Sequence, residues 1–237
     1  MQKKNKDDNY IARFRIIICR LIGLCFMFYC WHLTQQAIST YKNTLPTNSC
    51  IYDQTFNATT LINQYLNHHS LLSKILLTII TFEIDALTLF IFIYSAFSKS
   101  AKLIVGLFIL MCLRQFAQLM VLLKYPAGML WFDTHIPTLF VTYHVYNDFF
   151  FSGHTALVVY TALSIGKIFK QYQYISILKW GLMIFQIAGI IVLRAHYFMD
   201  IYAAIMTAIV VYQFTFSLKL PYWLDMSGEG QRLQSQF

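Results

Sequence analysis

Two histidines and two aspartates sit in short polar clusters inside otherwise apolar sequence. One cluster is Asp148-Phe149-Phe150-Phe151-Ser152-Gly153-His154-Thr155, and the other is Arg194-Ala195-His196-Tyr197-Phe198-Met199-Asp200. Such groups are costly in a bilayer, so their presence asks for a functional reason. His196 and Asp200 are spaced i, i+4, on one face of a helix and about one turn apart. A carboxylate there can accept the Nδ1 proton and fix the tautomer. It would leave Nε2 as nucleophile or base and stabilise positive charge on the ring. The plainer alternative is a polar contact that helps helices pack. In the first cluster Ser152 is placed to cap a helix, and Gly153 lets an anion approach the backbone. The first-turn N–H groups and the positive dipole end make a seat for phosphate, with His154 close enough to exchange a proton. The competing reading is an ordinary capped helix start with an interfacial histidine. Together the clusters point to phosphoryl transfer at one membrane face.

Phosphoryl transfer needs cationic support as charge develops. Arg114, Arg194 and Lys124 are the candidates. Arg114 falls deep in an apolar segment, where it must be paired or face a polar cavity. A structural pair with Glu83 or Asp85 is the alternative to phosphate binding. Arg194 stands two residues before His196, with snorkelling to the interface as its alternative. Asp148 could orient His154, contact an acceptor hydroxyl or cap the loop. His32, His68, His69, His135 and His144 lack partners at useful spacing and read as loop or interface residues. The aromatics around Tyr125–Phe151 could cage a quaternary ammonium group, or form an interfacial belt.

The elements that must position these groups are apolar helices. The chain has 237 residues, 58% of them hydrophobic and only 12% charged, with mean hydropathy +0.54. Soluble domains carry about 25% charged residues, so this is the composition of a polytopic membrane protein. The net charge of +8 sits mainly in short loops and reads as an orientation signal rather than nucleic-acid binding. Four of the five cysteines lie in apolar segments and only Cys50 is in a long loop. Without CxxC or Cys/His ligand spacing, neither a disulfide framework nor a metal site is expected, and no cofactor is implied.

A spanning helix takes about 20 apolar residues. Six segments qualify, at about 16–38, 72–97, 102–123, 152–170, 175–194 and 197–218, giving an all-α polytopic membrane bundle. The first reads as a retained signal anchor, since no cleavage site follows it. The last two spans abut near Arg194–Tyr197, which requires a tight turn or kink. The stretch Ile136–Val145 is too short to span and is expected at the interface. This divides the chain into an N-terminal segment 1–15, a membrane domain 16–219 and a tail 220–237. Lysines and arginines before span one, after spans two and four, and after span six share one side, which is then cytoplasmic. Both histidine clusters start helices at the opposite face. Asn57-Ala58-Thr59 is a glycosylation acceptor pattern in a loop on that face.

Three stretches resemble the sphingomyelin synthase-related branch of the type 2 phosphatidic acid phosphatase (PAP2) superfamily. Asn147-Asp148-Phe149-Phe150-Phe151-Ser152-Gly153-His154-Thr155 is similar to that branch's Gly-Asp-x-x-x-Ser-Gly-His-Thr. His196-Tyr197-Phe198-Met199-Asp200 is similar to its His-Tyr-x-x-Asp. Leu113-Arg114 through Tyr125-Pro126-Ala127-Gly128 is a looser match to its Arg-to-Pro-x-Gly stretch. The resemblance covers about residues 103–217. Asn147 replaces the branch's Gly. Phe151 and Ile190 stand where the phosphatase branch has Pro and Arg, and that branch's Lys-x6-Arg-Pro element is absent.

The resemblance implies six spans, an extracytoplasmic site and a phosphohistidine mechanism. By it, His196 attacks phosphorus, Asp200 holds His196, and His154 protonates the departing diacylglycerol and then deprotonates a ceramide hydroxyl. Asp148 matches the Asp before Ser-Gly-His. Asp148, Ser152, Gly153, Arg114 and Arg194 are the expected phosphate and substrate contacts. The implied partners are a phospholipid donor and a ceramide-like lipid alcohol. A lipid phosphate phosphatase using water as acceptor is the second hypothesis, and a transporter or lipid-binding scaffold the third.

Overall fold

The computed structural model describes residues 2–43, 51–121, 123–141, 143, 149–221 and 224, and of residues 2–12, 39 and 41–43 the backbone alone. The described residues form eight helices: α1 (Gln2–Asn43), α2 (Gln54–Ala58), α3 (Thr60–His68), α4 (Ser70–Phe97), α5 (Lys102–Met120), α6 (Gly153–Ile168), α7 (Gln173–Val192) and α8 (Phe198–Ser217). No strand occurs among them. The fold is an all-helical polytopic bundle, as the apolar runs require.

Five helices are long and apolar enough to cross a bilayer: Arg13–Ile38 within α1, then α4, α5, α7 and α8. The fourth expected span, about 152–170, is α6, which falls short of the length of the other five. α6 has 16 residues, a rise of about 24 Å against a hydrocarbon core of about 30 Å. Ser152 caps its start, and the chain turns out of the helix after Ile168. α6 can be short because it is the centre of the bundle, packed against α8, α7, α4 and α5. Every residue from Thr155 to Ala162 is buried, the all-round burial expected of a core helix. Its Val158 and Tyr160 join Leu107 and Leu110 of α5 and Ala204 and Ala208 of α8 in the main apolar core. Large apolar side chains such as Phe26, Phe82, Ile177 and Val210 point outward, where lipid would cover them.

Parts of the loops at the histidine end make defined contacts. Of the expected interfacial stretch Ile136–Val145, residues 136–141 and 143 are described, and two of them bond to α4. The Asp85 carboxylate, midway along α4, accepts the N–H groups of Leu139 (2.8 Å) and Phe140 (2.9 Å). Non-helical backbone at such depth is tolerated where protein groups satisfy it. α1 is the most peripheral span, with 11% of its apolar window buried against 50% for α4. Arg20 fastens one end of it by donating to Ser95 O (3.1 Å), Ser98 O (2.6 Å) and Leu224 O (3.1 Å), closing the carbonyl end of α4. Gln35 fastens the other end.

Candidate active site

α8 begins on two carboxylates. Tyr197 is the N-cap, and its N–H donates to Asp200 Oδ2 at 3.1 Å. The next N–H, from Phe198, donates to Asp53 Oδ2 at 2.6 Å. Asp53 also caps α2 through Thr55 N at 2.9 Å, so a loop far off in sequence holds the helix start. The same Asp200 Oδ2 lies 3.1 Å from His196 Nδ1. Asp200 is fully buried and His196 nearly so. With Nδ1 engaged, the ring presents Nε2 as its reactive nitrogen. Phe149 packs edge-on to this ring, with centroids 5.8 Å apart.

α6 begins beside it. Ser152 Oγ accepts the Thr155 N–H at 3.3 Å, while the Ser152 N–H donates to the Asp200 carbonyl at 3.3 Å. The two clusters are therefore joined directly through backbone. Phe150, just before the cap, has φ +88, a conformation costly for a residue with a side chain and frequent near functional sites. His154 follows with its ring edge-on to Trp131 at 5.1 Å. Its Nε2 is buried and has no hydrogen-bond partner among the described residues. A buried polar nitrogen left this way is costly unless a ligand completes it.

Arg114 of α5 reaches the same place. A Cβ built on Gly153 would lie 2.7 Å from Arg114 Nε and 3.3 Å from Cζ, so the guanidinium occupies the space a side chain would take. That is the structural reason for glycine here: it admits a cation to the N-terminus of α6. Arg114 Nη1 donates to Gln35 Oε1 at 3.1 Å, and Gln115 Nε2 donates to the same oxygen at 3.1 Å. Gln35 thus ties peripheral α1 to the cation. The sequence reading missed it, although a glutamine inside an apolar span was the available signal.

His154, His196, Gly153 and Arg114 all line one cavity of about 140 Å³. Most of the rest of its wall is apolar, including Phe28, Trp31, Trp131, Phe140 and Phe149. A guanidinium beside two imidazoles in apolar walls suits an anion, since a fixed positive group and oriented N–H donors act strongly where water is excluded. Among the described residues no three metal-ligating side chains cluster.

Other expected site residues are placed differently. Arg194 does not line the cavity. Its guanidinium donates to Phe56 O (2.6 Å), Thr60 Oγ1 (3.1 Å) and Ala127 O (3.1 Å) and lies over the Phe56 ring. Its backbone makes the expected tight turn. Arg194 has φ +53, Arg194 N donates to Ile191 O, and Ala195 N donates to Ile190 O, the Schellman pattern that ends α7. Lys124 is exposed, and its carbonyl accepts the Tyr197 hydroxyl at 2.9 Å. His32, His68, His69 and His135 are exposed and off the cavity. Asp148, Asn147, His144 and Cys50 lie outside the described residues.

Residues 146–217 match the family profile described as PAP2 superfamily C-terminal. The matched segment carries Ser152, Gly153, His154, His196 and Asp200, and stops short of Arg114 and Gln35. No curated protein and no solved structure matches the chain.

Proposed function

We propose that this protein is a membrane lipid phosphotransferase. It would move a phospho-head group, phosphocholine or phosphoethanolamine, from a glycerophospholipid to ceramide or a similar lipid alcohol. The observation that carries the reading is the shared cavity. His196, backed by Asp200, faces it together with His154, whose Nε2 lacks a partner among the described residues, and with Arg114 seated on Gly153. The match of residues 146–217 to the PAP2 C-terminal profile supports lipid phosphatase or phosphotransferase chemistry.

In the proposed reaction His196 Nε2 attacks phosphorus, and the bond from phosphorus to the glycerol oxygen breaks. His154 gives that oxygen its proton, releasing diacylglycerol and leaving the head-group phosphate on His196. A lipid hydroxyl then loses its proton to His154 and attacks phosphorus, the phosphorus–nitrogen bond breaks, and free His196 returns. Asp200 stabilises the positive ring, and Arg114 with the α6 N-terminus stabilises the phosphoryl oxygens. The apolar aromatic wall favours a lipid alcohol over water as acceptor. The basic residues of the short loops would place the termini in the cytoplasm and the site on the extracytoplasmic face.

The test is to incubate vesicles holding the protein with labelled phosphatidylcholine, phosphatidylethanolamine or phosphatidic acid, with and without ceramide. A phosphosphingolipid formed together with diacylglycerol is expected. His196→Ala should lower turnover by at least about 10³-fold, because a covalent nucleophile has no substitute in binding. Release of inorganic phosphate would instead make the protein a lipid phosphate phosphatase. Turnover that survives both His196→Ala and His154→Ala in folded protein would end the catalytic assignment.

A further inference from the structure

The catalytic cavity is too small for its proposed substrate. A void of about 150 Å³ accommodates a benzene-sized group. At about 140 Å³ the cavity takes a phosphoryl group and its immediate surroundings, with no room for acyl chains. A second, larger space adjoins it. Between α1 and α5 runs an apolar groove of about 820 Å³. Met27, Trp31 and Met111 line both spaces, so three side chains form the wall between them.

The groove has the dimensions and the setting of a chain-binding channel. From Arg15 to Thr34 of α1 it runs about 28 Å at helical rise. That is close to the whole ~30 Å hydrocarbon core, ample for the chains of one leaflet. Phe26 and Phe108, both exposed, flank it, so it opens toward lipid. α1 is held by polar contacts at Arg20, which itself lines the groove, and at Gln35, just past its other end. Gly23 lies in the groove between these two residues, and a Cβ there would meet no atom within 4 Å.

We infer that the α1–α5 groove is where an acyl chain of the phospholipid donor lies, admitted sideways from the bilayer while its phosphoryl group enters the cavity past Met27, Trp31 and Met111. This rests on the phospholipid reading given above. It also gives Gln35 a second consequence: one glutamine fixes the rim of the lipid channel and the Arg114 side chain together.

The test fills the groove. Gly23→Phe places a ring in open space, and Gly181→Phe on α7, where a Cβ also meets nothing within 4 Å, controls for an added aromatic. Turnover is measured on the dioleoyl forms of phosphatidylcholine, phosphatidylethanolamine and phosphatidic acid in vesicles, and on their dihexanoyl forms in solution. Gly23→Phe should lower dioleoyl turnover at least tenfold and dihexanoyl turnover less than twofold, with Gly181→Phe altering neither. Equal effects on both chain lengths, or none on either, would overturn the inference. A second readout needs no turnover. Dioleoyl-phosphatidylcholine vesicles doped with a diazirine-acyl phosphatidylcholine are irradiated and the cross-linked peptides mapped. Adducts on Trp31 and Met111 should form in the wild type and vanish in Gly23→Phe, while adducts on outward-facing Ile177 persist. If no phospholipid is turned over but these adducts behave as stated, the catalytic reading fails and the groove stands. If the adducts are missing from the wild type, the groove assignment fails whatever the activity.

Discussion

Replacing Gly153 by alanine separates catalysis from stability at a single methyl group. The new Cβ would stand 2.7 Å from Arg114 Nε, 3.2 Å from Cδ and 3.3 Å from Cζ. Ordinary contact begins near 3.4 Å, so the guanidinium must retreat by about 0.7 Å. The obstacle is the end of a flexible side chain, and alanine is favoured over glycine in a helix by up to about 1 kcal/mol. Thermal stability should therefore hold or rise slightly. Catalysis should not, since a misplacement of about 1 Å costs on the order of 100-fold. We expect kcat/KM to fall roughly 10- to 100-fold, or about 1.4–2.8 kcal/mol of transition-state stabilisation. The assay is steady-state phospholipid turnover in vesicles beside thermal unfolding of the same preparation. Gly153→Ala combined with Arg114→Ala should be no slower than Arg114→Ala alone, because the methyl acts only by moving that arginine. Activity within threefold of wild type would refute the reasoning, as would additive losses or a loss that merely tracks instability.

Asp53→Ala removes the acceptor that caps both α2 and α8, so it should destabilise the protein by about 1–2 kcal/mol, seen as a lowered Tm. An unchanged Tm would mean that water replaces the carboxylate at no cost. Arg194→Ala breaks three hydrogen bonds, so it should cost about 2–3 kcal/mol of stability in chemical denaturation. Its kcat/KM on refolded protein should fall far less than that of Arg114→Ala, and a comparable fall would return Arg194 to the phosphate site.

The local contacts of the two histidine clusters were legible because they are made between residues close in sequence. His196 and Asp200 do meet, though not along one helix face as expected: His196 precedes the Tyr197 N-cap, and its ring reaches the first-turn carboxylate from outside α8, while Ser152 caps α6 as its position suggested. The apolar runs were long enough to mark the spanning helices, and the boundaries near Arg194 implied a turn. The choice of cations was not legible. Arg194 is closer to His196 in sequence, yet its guanidinium is drawn away to the carbonyls of Phe56 and Ala127. Arg114 reaches the site because α5 crosses the start of α6 where a glycine leaves room. The bounds of α6 were close to the expected 152–170, but its central place in the bundle was not legible, because a buried core helix and a lipid-facing span are both apolar.

The sequence by itself determined an all-helical membrane bundle and the two polar histidine clusters at helix starts, because hydropathy and capping act over a few residues to a few turns. Tertiary structure alone decided that α1 joins the site. Gln35 touches Arg114 and Gln115 across most of the chain's first half, and the wall of Met27, Trp31 and Met111 exists only where α1 meets α5. Such contacts between distant helices leave no periodic trace in either one. The packing of the whole bundle fixes them, and with them the shape of the space in which the histidines work.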